Sequence, residues 1–329
     1  MTKAIIQVFS ENTNFTKVPI CCKIKGDFKK DGLGYSMKNG NLNKARKLKN
    51  DEFYTLYSDI EKELVHYEQH FMNKVVYCNC DDPRMSNFTR YFIINFKRLG
   101  LKKLICTGYK EGANGVKLEL TLHSNTGITA LEGDGSYNSK ECLEFLKEAD
   151  IVVTNPPFSL FRDYFSTLMM YKKKFLIIGN VNAITYKEIF PLIQNNKVWL
   201  GCSKRSMDFM LPSGELFNVN ACWFTNLDHG KRHEELTLVE TYDEHRYPMF
   251  DNYAAINVQR TAKIPRDYTN VMGVPITFLD KYNPNQFEII GITGNYNEIK
   301  WLYLTGCSKY DRPYLGGRRM YPRILIKIK

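Results

Sequence analysis

Residues 150–160 read DIVVTNPPFSL. Ile151-Val152-Val153 is a short run of β-branched residues, the composition of a strand buried on both faces. Pro156 and Pro157 stop it, because neither can donate a backbone N–H to a ladder. The strand end therefore projects the Asn155 amide, two proline carbonyls and the Phe158 ring beyond the sheet. In open α/β sheets, ligands bind in the crevice past the carboxyl ends of the strands.

Those groups suit one kind of chemistry. An exocyclic amino group on a heteroaromatic ring is a poor nucleophile, since its lone pair is delocalised into the ring. The Asn155 side-chain oxygen and the Pro156 carbonyl can accept its two N–H bonds and turn the nitrogen toward tetrahedral geometry. Pro157 completes a rigid corner, and Phe158 offers a face for the ring. Such a site needs no strong base and acts through positioning and preorganised dipoles. A bare Asn-Pro-Pro is also a strand-ending turn before a core Phe. The flanks favour the functional reading: a strand leads in, and an amphipathic segment at 160–171 leads out.

Upstream, residues 75–78 (VVYC) read as a buried strand, followed by the polar loop Asn79-Cys80-Asp81-Asp82-Pro83 and a helix at 86–99. Strand, tight loop and helix make the first half of a nucleotide-binding unit. The usual loop glycines are missing. Asp81 or Asp82 can instead bind ribose hydroxyls, or cap the next helix. A second strand is expected at 103–107, ending at Gly108-Tyr109, with Tyr109 either along an adenine or an ordinary surface Tyr. A hairpin-type strand follows at 116–123, then Gly133-Asp134-Gly135 and a helix at 139–149. Asp134 is placed to accept from a cofactor adenine amine, and Gly135 permits close backbone approach; the alternative is an Asp-Gly turn.

Downstream, strands are expected at 175–178, 198–200 and 219–225, with a helix at 184–194. This β-α alternation predicts a doubly wound, Rossmann-like sheet. Past residue 226 the chain turns rich in Tyr, Asn, Pro and Arg, with short strands at 275–279 and 288–292. The expected organisation is an N-terminal extension at 1–40, a catalytic domain at 41–226 and a smaller mixed region at 227–329.

The 329 residues are 43% apolar and 25% charged, a globular composition. No apolar run reaches the roughly 18 residues of a membrane helix, and the start of the chain lacks an export signal core. No membrane association and a cytoplasmic location are expected. The nine cysteines lack finger spacing, so no metal is expected and most should be small core residues. A formal charge of +11 points to a polyanion, with nucleic acid the commonest partner. The charge clusters at Lys44, Arg46, Lys47 and Lys49, at Lys172-Lys173-Lys174, and at Arg318, Arg319, Arg323, Lys327 and Lys329.

With DEFYT (51–55), CNCDDP (78–83), GDG (133–135) and NPPF (155–158) in this order, the chain resembles the EcoRI-type site-specific DNA adenine-N6 methyltransferases. The resemblance runs from about Leu42 to near the C-terminus and includes NAITYKEIF, NACWFTNL and PITFLDKYNPNQFEIIG. It implies S-adenosyl-L-methionine as methyl donor. Tyr54 and Thr55 would sit near its methionine end, Asn79, Asp81 and Asp82 would hold methionine and ribose, Asp134 would bind the adenine, and Phe161 would pack on the adenine face. Asn155, Pro156 and Phe158 would hold a target adenine flipped out of duplex DNA. The missing loop glycines, and the missing acid after the second strand, depart from general methyltransferase patterns.

The resemblance further implies an AATT-centred (GAATTC-like) site, a monomer, and a restriction-modification setting with any cognate restriction endonuclease acting separately. Residues 227–329 would recognise the target. Two other classes share the motif: an enzyme acting on RNA adenine or a protein glutamine amide, and a DNA-binding protein with a catalytically dead domain.

Overall fold

The computed structural model describes residues 54–203, 205–211, 214–294, 297–304 and 312–329. Expectations for residues 1–40 and for Lys44, Arg46, Lys47 and Lys49 lie outside them.

After β1 (Tyr54–Thr55) and α1 (Tyr57–Leu64) comes β2 (Val75–Cys78), whose four residues are all buried. Ser86 then starts α2 (Asn87–Asn95) by accepting from the Phe88 N–H at 3.0 Å, an N-cap that satisfies a donor no helical carbonyl can reach. β3 (Lys103–Gly108) returns the chain. A hairpin of β4 (Val116–Thr121) and β5 (Asn125–Ala130) follows, then α3 (Lys140–Glu148), capped by Ser139. β6 (Ile151–Thr154) is buried throughout and leads through the prolines into α4 (Phe161–Met170). β7 (Lys174–Asn180), α5 (Phe190–Gln194), β8 (Trp199–Leu200), β9 (Met207–Met210), β10 (Leu216–Val219) and β11 (Ala221–Thr225) complete this half.

Eight strands form the main sheet in the order β5-β4-β3-β2-β6-β7-β11-β8. The central β3-β2-β6-β7 are parallel, while β4, β5, β11 and β8 add antiparallel pairings at the two sides. The sheet is thus mixed, not doubly wound throughout. The expected strand at 219–225 divides at Asn220: β11 joins the main sheet, and β10 joins a separate antiparallel sheet, β1-β9-β10. The helix expected at 184–194 is a 3-10 turn, Val181–Thr185, followed by the five-residue α5.

Beyond Asn226 lie β12 (Ile256–Asn257), β13 (Met272–Pro275), β14 (Phe287–Ile292), β15 (Tyr314–Leu315), β16 (Arg318–Arg319) and β17 (Arg323–Ile328). Four of them form the sheet β12-β13-β17-β14, and β15-β16 is an isolated hairpin. The strand expected at 275–279 is instead a 3-10 turn, Ile276–Lys281. Pro275 ends β13 because it cannot pair further, and its φ of −60° leads directly into the turn. One hydrophobic core runs through both halves, taking in Ile177 and Phe224 of the main sheet with Met272, Phe287 and Ile326 of the smaller one. Among the described residues no helix is long and apolar enough to cross a membrane.

Candidate active site

β2 lies between β3 and β6, so the chain runs to one side after β2 and returns on the other. This is a topological switch point, where the loops beyond the strand ends part and leave a crevice. Tyr77 pairs with Val152 in parallel register, which brings the Asn79 loop and the Thr154-Asn155 corner side by side.

One carboxylate joins the two. Asp81 is 7% exposed. Its Oδ1 accepts from the Ser86 hydroxyl at 2.7 Å, its Oδ2 accepts from the Thr154 hydroxyl, and the Asn155 backbone N–H also donates to it. The Cys80 N–H donates to Thr154 Oγ1 at 3.2 Å, and the Asp81 N–H to the Thr107 carbonyl of β3 at 3.1 Å. Burial pushes the Asp81 carboxyl up to about 6, against the opposing pull of its three hydrogen bonds. Asp81 therefore spends its oxygens on the protein. Asp82, half-buried, is engaged by Arg84, whose Nε lies 2.9 Å from Oδ1.

In the corner itself, Pro156 is buried, and Asn155, Pro157 and Phe158 are half-buried. The Pro157 carbonyl accepts from the Leu160 N–H at 3.0 Å and begins the turn into α4. Phe158 meets Phe209 edge to face, with centroids 6.0 Å apart and planes at 86°. Phe209 pairs with Thr55 through the β1–β9 ladder. β9 thus links the motif to Tyr54-Thr55, the two residues expected at the methionine end.

Polar groups in this region remain unsatisfied. Thr55 Oγ1 and Asn79 Nδ2 are buried with no hydrogen-bond partner, although buried polar groups are nearly always paired. Asn79 Oδ1 accepts from the Tyr164 hydroxyl, which fixes the amide so that its NH2 group is the one left over. Thr55 is tied to the start of α2, its carbonyl accepting from Asn87 Nδ2 at 2.8 Å. A hydroxyl and an amide donor suit a ligand end that carries a carboxylate and an ammonium.

The glycines missing from the first loop lie on its neighbours. A Cβ on Gly108 would meet the Asp82 Cα at 2.7 Å. One on Gly115 would meet the Asp134 and Gly108 carbonyl oxygens at 2.7 Å. One on Gly135, at φ +79°, would meet the Gly108 oxygen at 2.4 Å. Four backbone segments thus converge, and Asp82, Tyr109, Asp134 and Gly135 share one corner. Tyr109 is 52% exposed. Asp134 is exposed and forms an Asp-Gly turn, its Oδ1 accepting from the Ser136 N–H at 2.9 Å.

Phe161 is not in this corner. It is 2% exposed, packed between Phe165 and Phe224 and pressed on Gly179, where a Cβ would lie 2.4 Å from its ring. Protein covers its faces, so the expected stacking on an adenine does not follow; the ring instead seats α4 on β7.

Among the basic groups, Arg318 and Arg319 are exposed, with no ion-pair partner among the described residues. Asp251 braces their hairpin by accepting from the Gly316 and Gly317 N–H groups at 3.0 and 2.7 Å. Lys172-Lys173-Lys174 stands where β7 begins, at the sheet end opposite the crevice. Lys173 Nζ donates to the Lys147 and Ala149 carbonyls at 2.8 and 2.6 Å, holding the end of α3 and not an outside anion.

Residues 41–329 match the model of a family described as adenine-specific methyltransferase EcoRI, beginning where the sequence resemblance set its start. The chain is 47% identical over 319 residues to the Type II methyltransferase M.EcoRI of Escherichia coli, covering 85% of this chain and 97% of that protein. It is 38% identical over 314 residues to M.MpnI of Mycoplasma pneumoniae, covering 87% and 97%, and 37% identical over 313 residues to M.MgeORF184P of Mycoplasma genitalium, covering 87% and 98%. Both are likewise named Type II methyltransferases.

Proposed function

The chain belongs to the EcoRI-type adenine-specific methyltransferase family, and on that premise we propose that it transfers a methyl group from S-adenosyl-L-methionine to N6 of adenine in duplex DNA. The observation that carries this reading is the junction of the Asn79 loop with the Asn155-Pro156-Pro157-Phe158 corner at the switch point of the sheet. It sets the polar Asn79 loop, for a charged donor, beside an acceptor pair and an aromatic face for a base.

Thr55 and Asn79, with their unsatisfied buried atoms, hold the methionine end together with Tyr54. Asp82, Tyr109, Asp134 and Gly135 hold the adenosine end. When bound, the donor supplies a methyl group on a sulfonium centre. Asn155 Oδ1 and the Pro156 carbonyl would accept the two N–H bonds of the target amine and aim its lone pair at that methyl. The nitrogen would gain the methyl as the sulfur–carbon bond breaks to leave a neutral thioether, and would then lose one proton to solvent. Phe158 stacks on the adenine, its own ring fixed by Phe209. No covalent enzyme intermediate is needed.

An adenine inside a duplex cannot reach such a crevice, so it is flipped out at a cost of a few kcal/mol, offset in part by phosphate contacts. Arg318 and Arg319 supply such contacts, joined by Lys44, Arg46, Lys47 and Lys49. Residues 227–329 read the sequence, at an AATT-centred site. The protein acts as a cytoplasmic monomer in a restriction-modification setting, apart from any cognate endonuclease.

Incubation with methyl-labelled donor and, separately, duplex DNA, RNA and protein tests the substrate class. Label recovered as N6-methyladenine from the DNA digest is expected. Label in RNA adenine or glutamine would move the chain to the other substrate classes that use this motif. No label in any of them, with no binding of donor by calorimetry, would mark a dead domain.

A further inference from the structure

We infer that Asp81 is a positioning residue that couples the cofactor-side loop to the target-base corner, by fixing the backbone of Asn155 and the hydroxyl of Thr154 on one carboxylate. The inference rests on the methyltransferase reading of this site but assigns Asp81 a role other than cofactor ligand.

The geometry is specific. Asp81 leaves β2 and touches three other elements: β3 through its own N–H on the Thr107 carbonyl, α2 through the N-cap Ser86, and the end of β6 through Thr154 and Asn155. Thr154 Oγ1 donates to Asp81 and accepts from Cys80, so the clasp closes on both sides. The Asn155 side chain springs from the residue whose N–H is held. Any shift of the loop on cofactor binding therefore reaches the acceptor of the target amine through one hydrogen-bonded step. An ionised carboxylate accepts every one of these bonds. A protonated one carries an O–H that a hydroxyl must accept, so Ser86 or Thr154 has to turn from donor to acceptor and the bond pattern of the clasp changes.

The groups that face it leave Asp81 as the one that titrates near neutrality. Cys78 and Cys80 lie beside it on its own segment, and Tyr164 faces it from α4. Burial, the largest cause for each, raises all three well above their ordinary values, so they stay neutral. The neighbouring charged pair, Asp82 with Arg84, is closed on itself. The carboxyl of Asp81 stands at about 6, so lowering the pH through 6 adds the proton that reverses a bond of the clasp.

The test uses the full chain with S-adenosyl-L-methionine and duplex DNA. Wild-type transfer is established first; its absence would overturn both the functional reading and this inference. In wild type, kcat should fall about tenfold per pH unit below about 6. Asp81→Asn should lower kcat at pH 7.5 by about 10- to 100-fold, as misplacement of a reacting group does. It should also remove the acid limb and leave the dissociation constant of the donor within about threefold. A raised donor dissociation constant with unchanged kcat would make Asp81 a cofactor ligand and overturn the inference. So would a variant with wild-type kcat and the same acid limb. If Asp81→Asn does not fold, Thr154→Val and Thr154→Ser decide. The valine variant should reproduce the loss of kcat and the serine variant restore it; equal rates in both would overturn the coupling.

Discussion

Phe209 shows how a single side chain can brace a candidate site from outside the motif that defines it. Its ring is fully buried and meets the half-buried Phe158 edge to face, a geometry worth about 0.5–1.5 kcal/mol beyond the area buried. Phe209→Leu is expected to cost about 1 kcal/mol of stability on that ground, read as a small drop in Tm. It should lower kcat while the donor still binds as before. Loss of donor affinity alone would place Phe209 on the cofactor side. The strand end and its proline corner were legible from the sequence, because two prolines after a β-branched run fix a strand end by covalent structure alone. Phe209, Ser86 and Thr154 were not. Their roles depend on which strands pair, and MDFM at β9 is too short to announce its partner. Phe161 was misread for a related reason: Phe at one helical turn past the motif fits a crevice or a core equally well, and Gly179, which receives its ring, lies on another strand.

At the scale of elements, the parallel centre was legible where strands are wholly buried and apolar, as in β2 and β6. The edges were not. β5 (NTGITA) carries no apolar run and exists through pairing with β4. The split between β10 and β11 follows from Asn220, which the alternation does not mark. The β15–β16 hairpin depends on Gly316 and Gly317 at φ +55° and +73° and on the Asp251 carboxylate beneath them. It presents Arg318 and Arg319 as a unit. Arg318→Ala with Arg319→Ala should weaken duplex binding across all sequences and flatten its logarithmic salt dependence by about 1.8, or about 0.9 for each phosphate no longer neutralised. Donor binding should not change. An unaltered salt slope would remove the hairpin from the DNA interface. Lys173→Ala should leave that slope unchanged, since its ammonium is held by the end of α3.

Across the whole molecule, the main sheet and the smaller sheet share one core, so stability is a joint property. His229 reports on it. It is 3% exposed, with Nε2 3.0 Å from the Leu200 carbonyl. Burial lowers its value to about 4, partly countered by that hydrogen bond. The unfolded chain takes up this proton near 6.5 and the folded chain only near 4. The stabilisation is complete above pH 6.5 and is lost as the pH falls toward 4, amounting to about 3 kcal/mol for that shift. Denaturant unfolding at pH 7 and pH 4.5 should show the loss, and His229→Gln should shrink it. An identical drop in the variant would assign it to other groups. The sheet that carries the site was thus readable from short apolar runs, whereas the shared core was not, because it is made by residues whose spacing spans the chain.

The central claim is that Asn155 supplies an acceptor to the target amine from a corner fixed by two prolines. Single-turnover methyl transfer at saturating donor and duplex DNA tests it most directly in wild type, Asn155→Ala and Asn155→Asp. The alanine variant should lose about 10²–10³ in rate, the range for removing one preorganised hydrogen-bonding group at the reacting centre. It should bind duplex DNA and donor as before. The aspartate variant, which keeps the acceptor, should retain most of the rate. An alanine variant that transfers methyl within a few-fold of wild type would contradict the claim.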